Sequence, residues 1–440
     1  MEKNSRSLAL EVLYAVEQKG AYANLALGSA LPDAASAADR ALITELVYGT
    51  LRMRGTIDYI LGQFLSRPLA KLPLRILLAL RLGVYQLLFM DKIPPAAAIN
   101  ESVELAKRYG HKGTAGLTNG VLRNIQRGRD SLQFPDWEAR PGEYLAAACS
   151  HPLWLAQQWL ERFGFAGAKA ICDFNNAPAP YTLRVNTLKT SREALLAEYP
   201  AFAPLSHAPE GVVLPGRNSS QGLNRLVANG LLYPQQETSM LAAHVLAPAP
   251  GSRVLDVCAA PGGKTCHLAA LMQNQGEILA LDLHEHKLKL LADNAARLGI
   301  GIIETKAADS RELSFLPDAA FDYILADVPC SGLGVLRSRP DSRWRKSPES
   351  IADLAAISRQ ILDQAARKLK PGGRLLFSTC TISREENEAQ LERFLADHGD
   401  FSPQPIECFP ELFGGRASTQ ILPQLHGLEG FFFALLAKHS

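Results

Sequence analysis

The chain has 440 residues, of which 47% are apolar and 20% charged, and a formal net charge of +2. This balance excludes a disordered or low-complexity protein, and the length exceeds one ordinary core, so about two to four folded domains are expected. Seven scattered cysteines, at positions 149, 172, 258, 266, 330, 380 and 408, fit a reducing compartment, the cytoplasm, better than a disulfide framework.

At the start, Lys3 and Arg6 precede an apolar stretch, but Glu11 interrupts it and no small-residue cleavage site follows. It reads as an amphipathic first helix. Up to about Arg129 the apolar spacing stays helical, as in Leu8, Val12 and Val16, then Ile43, Leu46, Val47 and Leu51, then Leu117, Val121 and Ile125. Residues 1–132 are therefore expected to form an all-α domain of five to seven helices. The most apolar run, 72–90, contains Arg75 and Arg81. Each would cost about 2.5 to 3.5 kcal/mol in a bilayer, so a buried core helix is expected and no membrane partner. Residues 1–135 hold 17 Lys and Arg against 11 Asp and Glu, which suits contact with phosphate or a solvated surface.

Proline and glycine around Phe134-Pro135 and Arg140-Pro141-Gly142 mark a linker. Residues 133–235 then mix a Trp-rich helix at 153–163 with short β-like runs at 181–185, 211–214 and 230–233, a small α+β domain. In residues 236–440, β-runs at 253–257, 276–281, 301–306, 321–326 and 373–377 alternate with helical segments. This alternation predicts a parallel, doubly wound α/β sheet, with the closing run 431–436 as an added edge strand.

The first β-run of that domain ends in the turn Cys258-Ala259-Ala260-Pro261-Gly262-Gly263-Lys264-Thr265. Small residues between strand and helix let backbone amides approach a ligand at the helix N-terminus. A nicotinamide fingerprint is missing, whereas a phosphate loop is matched except that Cys258 stands at its first glycine. Pro261 opposes wrapping around a phosphate chain. Asp282 ends the second β-run, where a carboxylate can bind ribose hydroxyls, and Asp309 follows the third, where one can accept from an adenine amino group. S-adenosylmethionine satisfies these positions together, although each aspartate alone also reads as a helix cap.

Cys330, in Asp327-Val328-Pro329-Cys330, and Cys380, in Ser378-Thr379-Cys380-Thr381, both follow the carboxyl ends of expected strands, the edge that carries the active cleft in open α/β sheets. Beside a methyl donor, a thiolate adding at C6 of cytosine would make the weakly nucleophilic C5 electron-rich. Asp327 could bond the ring N3, and Lys264 could help keep a thiol ionised. Methylation of an exocyclic amino group usually uses an Asn/Asp-Pro-Pro-aromatic turn, which Asp327-Val328-Pro329-Cys330 is not. Beyond it, Arg337, Arg339, Arg343, Arg345 and Lys346 surround Trp344, a composition suited to single-stranded nucleic acid or to an exposed charged loop. Cys266-His267 has no paired Cys-x-x-Cys spacing, and no metal site is expected.

The stretches 256–264, 327–334 and 377–382, with Glu385-Glu386-Asn387-Glu388 and Glu429-Gly430-Phe431-Phe432, resemble the RNA cytosine-C5 methyltransferases, and the layout is similar to the Fmu/Sun-type 16S ribosomal RNA enzymes. Residues 39–40, 46–52, 100–107 and 119–124 resemble the antitermination factor NusB. The resemblance implies a helical domain that helps dock folded RNA, a middle domain and a Rossmann-like methyltransferase domain using S-adenosylmethionine. It implies Cys380 as nucleophile, Cys330 as the residue assisting product release, and Cys258 through Lys264, Asp282, Asp309 and Asp327 at the cofactor. 16S rRNA is the implied partner, and nothing demands more than a monomer. A noncatalytic NusB-like RNA-binding factor is the competing reading, and a phosphate-loop ATPase a third.

Overall fold

The structure, a computed structural model, describes residues 4–31, 36–215 and 221–440, so Lys3 lies outside the described residues. The chain forms two compact units: residues 1–178 with 336–345, and residues 179–335 with 346–440.

In the first unit, seven α-helices among the described residues precede residue 128: Ser5–Lys19, Ala23–Ala30, Ala37–Arg52, Arg54–Phe64, Leu74–Phe89, Pro95–Tyr109 and Lys112–Arg127. Local chemistry starts them: the Asn4 side chain accepts from Ser7 N, the Ser36 side chain from Asp39 N, and Pro95 opens its helix where a missing N–H does no harm. The apolar run near residue 80 is the core helix Leu74–Phe89. Its buried Arg81 donates to Asp58 at 2.6 and 2.8 Å and to Glu17 at 2.6 Å, which compensates the charge. No helix among the described residues is long and apolar enough to cross a membrane. Helices Pro141–Ala148 and Leu153–Asn176 follow, the second continuing past the expected 163 through a kink at Gly164.

The second unit holds two sheets. The strands β1 Tyr181–Val185, β2 Ala203–Pro204, β3 Gly211–Leu214 and β4 Leu232–Pro234 form an antiparallel sheet in the order β2-β3-β1-β4. With helices Arg192–Glu198 and Gln221–Ala228 this makes a small α+β layer, while the Trp-rich helix that the sequence grouped with it lies in the first unit.

The larger sheet contains β5 Arg253–Asp256, β6 Glu277–Asp282, β7 Ile303–Ala307, β8 Phe321–Asp327, β9 Leu369–Thr379, β10 Phe401–Pro403, β11 Ser418–Ile421 and β12 Phe431–Lys438. Its order is β10-β12-β9-β8-β5-β6-β7, with β11 also on β12. The five strands β9-β8-β5-β6-β7 are parallel, whereas β12 is antiparallel to β9. The sheet is thus mixed, and β12 is an interior strand, which corrects the expected edge position. Phe431 to Leu436 are all buried, as an uninterrupted apolar run covered on both faces should be. Strand order reverses between β5 and β8, so the turns after these two strands face each other at the switch point, where open α/β sheets hold ligands.

Candidate active site

The turn after β5 is tied to its neighbours before it can meet any ligand. Ala259 N donates to Leu281 O at 2.8 Å, Ala260 N to Asp282 Oδ2 at 3.3 Å, and Asn294 Nδ2 to Pro261 O at 3.1 Å. The Ala260–Pro261 peptide is cis. Gly262 has φ +100°, and a Cβ there would lie 2.7 Å from Leu291 Cγ, so only glycine suits the position. Helix Gly263–Leu271 begins next, and Thr265 Oγ1 donates at 2.7 Å to Asp256 at the end of β5. Burial first, and then the charge of Asp327, push the Asp256 carboxyl up to about 7.

The Cys258 thiol is also pushed up, by burial and then by Asp256, Asp327, Asp282 and Asp309 in that order. Of the four carboxyl groups around this turn, Asp327 is paired with Lys264 and Asp309 with Arg311, so no excess of positive charge is left to hold a triphosphate, whereas a ligand carrying positive charge is tolerated. The phosphate-loop reading therefore loses its electrostatic basis, while the sulfonium and ammonium of S-adenosylmethionine fit the donor set. Asp282 spends one acceptor on Ala260 N and another on His284 N at 3.0 Å, leaving lone pairs over. Asp309 is engaged differently from expectation: both its oxygens accept from Arg311, the shortest contact being 2.6 Å.

Lys264 and Asp327 meet across the switch point, with Nζ to Oδ2 at 2.6 Å. Asp327 Oδ1 accepts from Ser378 Oγ at 2.9 Å, because parallel pairing sets Asp327 opposite Ser378. The ammonium also sits 5.1 Å from the centre of the Phe431 ring. Two residues beyond Ser378, Cys380 Sγ lies 3.4 Å from Cys330 Sγ. The Cys330 thiol is pushed well above its usual range by the Cys380 contact and by burial, with Glu386 and Asp327 adding charge. Gly334 N donates to Cys380 O at 3.0 Å, and Gly430 N donates to Gly334 O at 2.8 Å. A Cβ on Gly334 would stand 1.9 Å from Gly430 O, so this backbone layer closes only around glycine.

Several contributors have partners that the sequence does not reveal. Glu386 accepts from Ser331 N at 2.7 Å and from Ser331 Oγ at 2.5 Å, and Asn387 Nδ2 donates to Thr381 O at 3.0 Å. Arg184 of β1, fully buried, donates to Gly263 O at 2.6 Å and to the Gln235 side chain, binding the small sheet to the start of the cofactor helix. Glu210, His244 and His267 converge although far apart in sequence: His244 Nε2 is 2.9 Å and His267 Nε2 2.8 Å from the Glu210 carboxylate. The charge of the buried Arg184 acts on His267 and lowers its affinity for a proton. Partners of Arg184 and His267 come from separate segments, a signal no local motif carries.

Four side chains of the basic loop are engaged by the helical unit itself. Arg343 is buried in the helical unit and donates to Ser150 O and Asn176 Oδ1 at 2.9 Å, to Asn175 O at 3.2 Å and to Arg52 O at 3.3 Å. Trp344 Nε1 donates to Leu51 O at 2.7 Å, Arg345 to Gly20 O at 2.9 Å, and Arg337 to Pro178 O at 2.7 Å. Composition gave the charges but not their acceptors, which are mostly main-chain carbonyls in and just beyond the ends of helices of the same unit.

An open α/β sheet with a cation-favouring turn at its switch point and two thiols at the same edge defines a methyltransferase of the Rossmann-like class. The chain belongs to the RsmB/F family of ribosomal RNA small subunit methyltransferases, which depend on S-adenosylmethionine: the model described as 16S rRNA methyltransferase RsmB/F matches residues 243–437. The NusB family model matches residues 3–127, and that of the RsmF/B-like ferredoxin-like domain residues 151–219. The probable ribosomal RNA small subunit methyltransferase B of Bacillus subtilis is 41% identical over the whole of both chains. That of Synechocystis is 37% identical over 99% of each. Among solved structures, PH0851 is 27% identical with TM-score 0.83, covering 100% of this chain and 99% of that one. NSun6 from Pyrococcus horikoshii with SFG is 26% identical with TM-score 0.59, over 66% of this chain and 98% of that one.

Proposed function

We propose that this methyltransferase makes 5-methylcytosine at one cytosine of 16S rRNA through a covalent cysteine adduct. The observation that carries the reading is the pair of sulfurs 3.4 Å apart beside the Lys264–Asp327 ion pair. S-adenosylmethionine, held by Cys258 through Lys264 with Asp282 and Asp309, supplies an electrophilic methyl group.

Cys380 is the nucleophile. Its sulfur bonds to C6, and the C5=C6 electron pair moves to C5, which takes the methyl. A base then removes the C5 proton, the double bond reforms, and Cys380 leaves with the C–S electrons as thiolate. Cys330 has its sulfur next to that leaving thiolate and assists release. Asp327, steadied by Lys264 and Ser378, is the group for the ring N3, and the Lys264 ammonium favours negative charge at the site. Residues 1–132 dock RNA, residues 133–235 link and contact RNA, and residues 236–440 carry out transfer in a cytoplasmic monomer.

The test is nucleoside analysis of unmodified 16S rRNA after reaction with the full chain. 5-Methylcytosine as the methylated product supports the reading, and an N-methylated base overturns it. Cofactor binding without transfer to any RNA would favour the RNA-binding factor.

A further inference from the structure

The residue following each thiol belongs to one buried polar cluster. Ser331, after Cys330, gives both its main-chain N–H and its hydroxyl to Glu386, at 2.7 and 2.5 Å. Ser331 Oγ also lies 2.8 Å from Thr381 Oγ1, and Thr381 follows Cys380. Glu386 is 1% exposed and Ser331 2%. A carboxylate this deeply buried is costly unless its lone pairs are filled, so the cluster has one stable arrangement.

We propose that Glu386 is the positioning residue for the thiol pair: by gripping Ser331 at two points, and Thr381 through Ser331, it fixes the neighbour of each cysteine and so sets the separation of the two sulfurs. The proposal rests on reading Cys380 and Cys330 as the working thiols. Neither cysteine needs a direct contact with Glu386 for this. The two sulfurs are borne on separate loops, one after β8 and one after β9. Among the described side chains, Glu386 is one whose carboxylate joins both loops.

Its charge has a second consequence. Facing Cys330 are Cys380, Glu386 and Asp327, and Asp327 is neutralised by Lys264 at 2.6 Å. Glu386 itself is faced by Ser331, Thr381 and the cation Lys346. A nearby negative charge resists ionisation of a thiol. The carboxylate therefore holds back loss of the pair's first proton while keeping the sulfurs close enough to share the second.

The experiment measures alkylation of Cys330 and Cys380 by iodoacetamide as a function of pH, by mass spectrometry of the full chain, in wild type, Glu386→Gln, Glu386→Asp and Ser331→Ala. Glu386→Gln should move the midpoint of alkylation down by about 1 pH unit, and Glu386→Asp, which keeps the charge but is one methylene too short to hold Ser331 at both points, should move the midpoint less while making alkylation of one cysteine independent of the state of the other. Ser331→Ala should move it in the same direction by less. A Glu386→Gln profile superimposed on wild type would overturn the proposal. If that variant does not fold, Ser331→Ala decides alone, an unmoved profile counting against. Alkylation requires neither RNA nor S-adenosylmethionine, so failure of the cytosine reading and failure of this proposal are separable.

Discussion

Arg343 and Lys264 are both cations in segments that the sequence marks as functional, and the structure treats them oppositely. Arg343 is buried among carbonyl and amide oxygens of the helical unit, four acceptors within 3.3 Å, and closes helix ends. Lys264 has one carboxylate partner, Asp327, at the carboxyl edge of the sheet, with an aromatic ring nearby. Charge near a cleft is therefore a poor guide by itself. What separates the two is how fully their donors are filled: Arg343 is saturated by acceptors of the helical unit, whereas Lys264 has a single carboxylate at the sheet edge.

The contrast predicts that the two cations fail in different ways. Arg343→Met would leave buried acceptors without a donor, at a cost of about 3 kcal/mol, and lower the unfolding midpoint of the helical unit by about 8 °C. S-adenosylmethionine affinity should be unchanged at temperatures where the variant is folded, and isothermal titration calorimetry checks this. Lys264→Met should do the reverse: methyl transfer falls about 100-fold at saturating cofactor while the unfolding midpoint stays within a few degrees. If Lys264→Met proves the less stable variant, the comparison breaks.

A smaller effect concerns acid. Burial, with Arg184 adding to it, pushes the His267 imidazole down to about 4. Between pH 6.5 and 4 the unfolded chain binds a proton there that the folded chain does not, so stability falls as pH drops through this window. The Glu210 carboxyl is held below its usual range by His244 and His267 despite burial, so its stabilisation is complete above the ordinary carboxylate value of 4.5 and is lost only below it. The expected loss is about 2 kcal/mol, less than the full shift because Glu210 is coupled to both imidazoles. Urea titrations at pH 7 and pH 5 measure it, and His267→Gln should flatten the dependence.

Much of the site was legible because its chemistry is local. A glycine-rich turn after an apolar run, aspartates at strand ends and two cysteines after strands are all short-range signals, and parallel pairing then brought Asp327 opposite Ser378, two residues before Cys380. The interior position of β12 is also written in its unbroken run of six apolar residues, the pattern of a strand covered on both faces. The remaining features depend on partners far away in the chain. Glu386 stands within a motif legible in the sequence, but its partner Ser331 lies 55 residues earlier. Arg184 reaches Gly263 across 79 residues, and Arg343 reaches Arg52 across 291. Residue type tells that such a group needs partners, and only the fold tells which.

The most direct test of the central claim is transfer of labelled methyl from S-adenosylmethionine to unmodified 16S rRNA by wild type, Cys380→Ala and Cys330→Ala, with covalent RNA adducts scored on a denaturing gel. The account predicts label in the wild-type product, background transfer with Cys380→Ala despite normal cofactor binding, and an RNA adduct that persists with Cys330→Ala alone. A Cys380→Ala protein that still methylates RNA would contradict it.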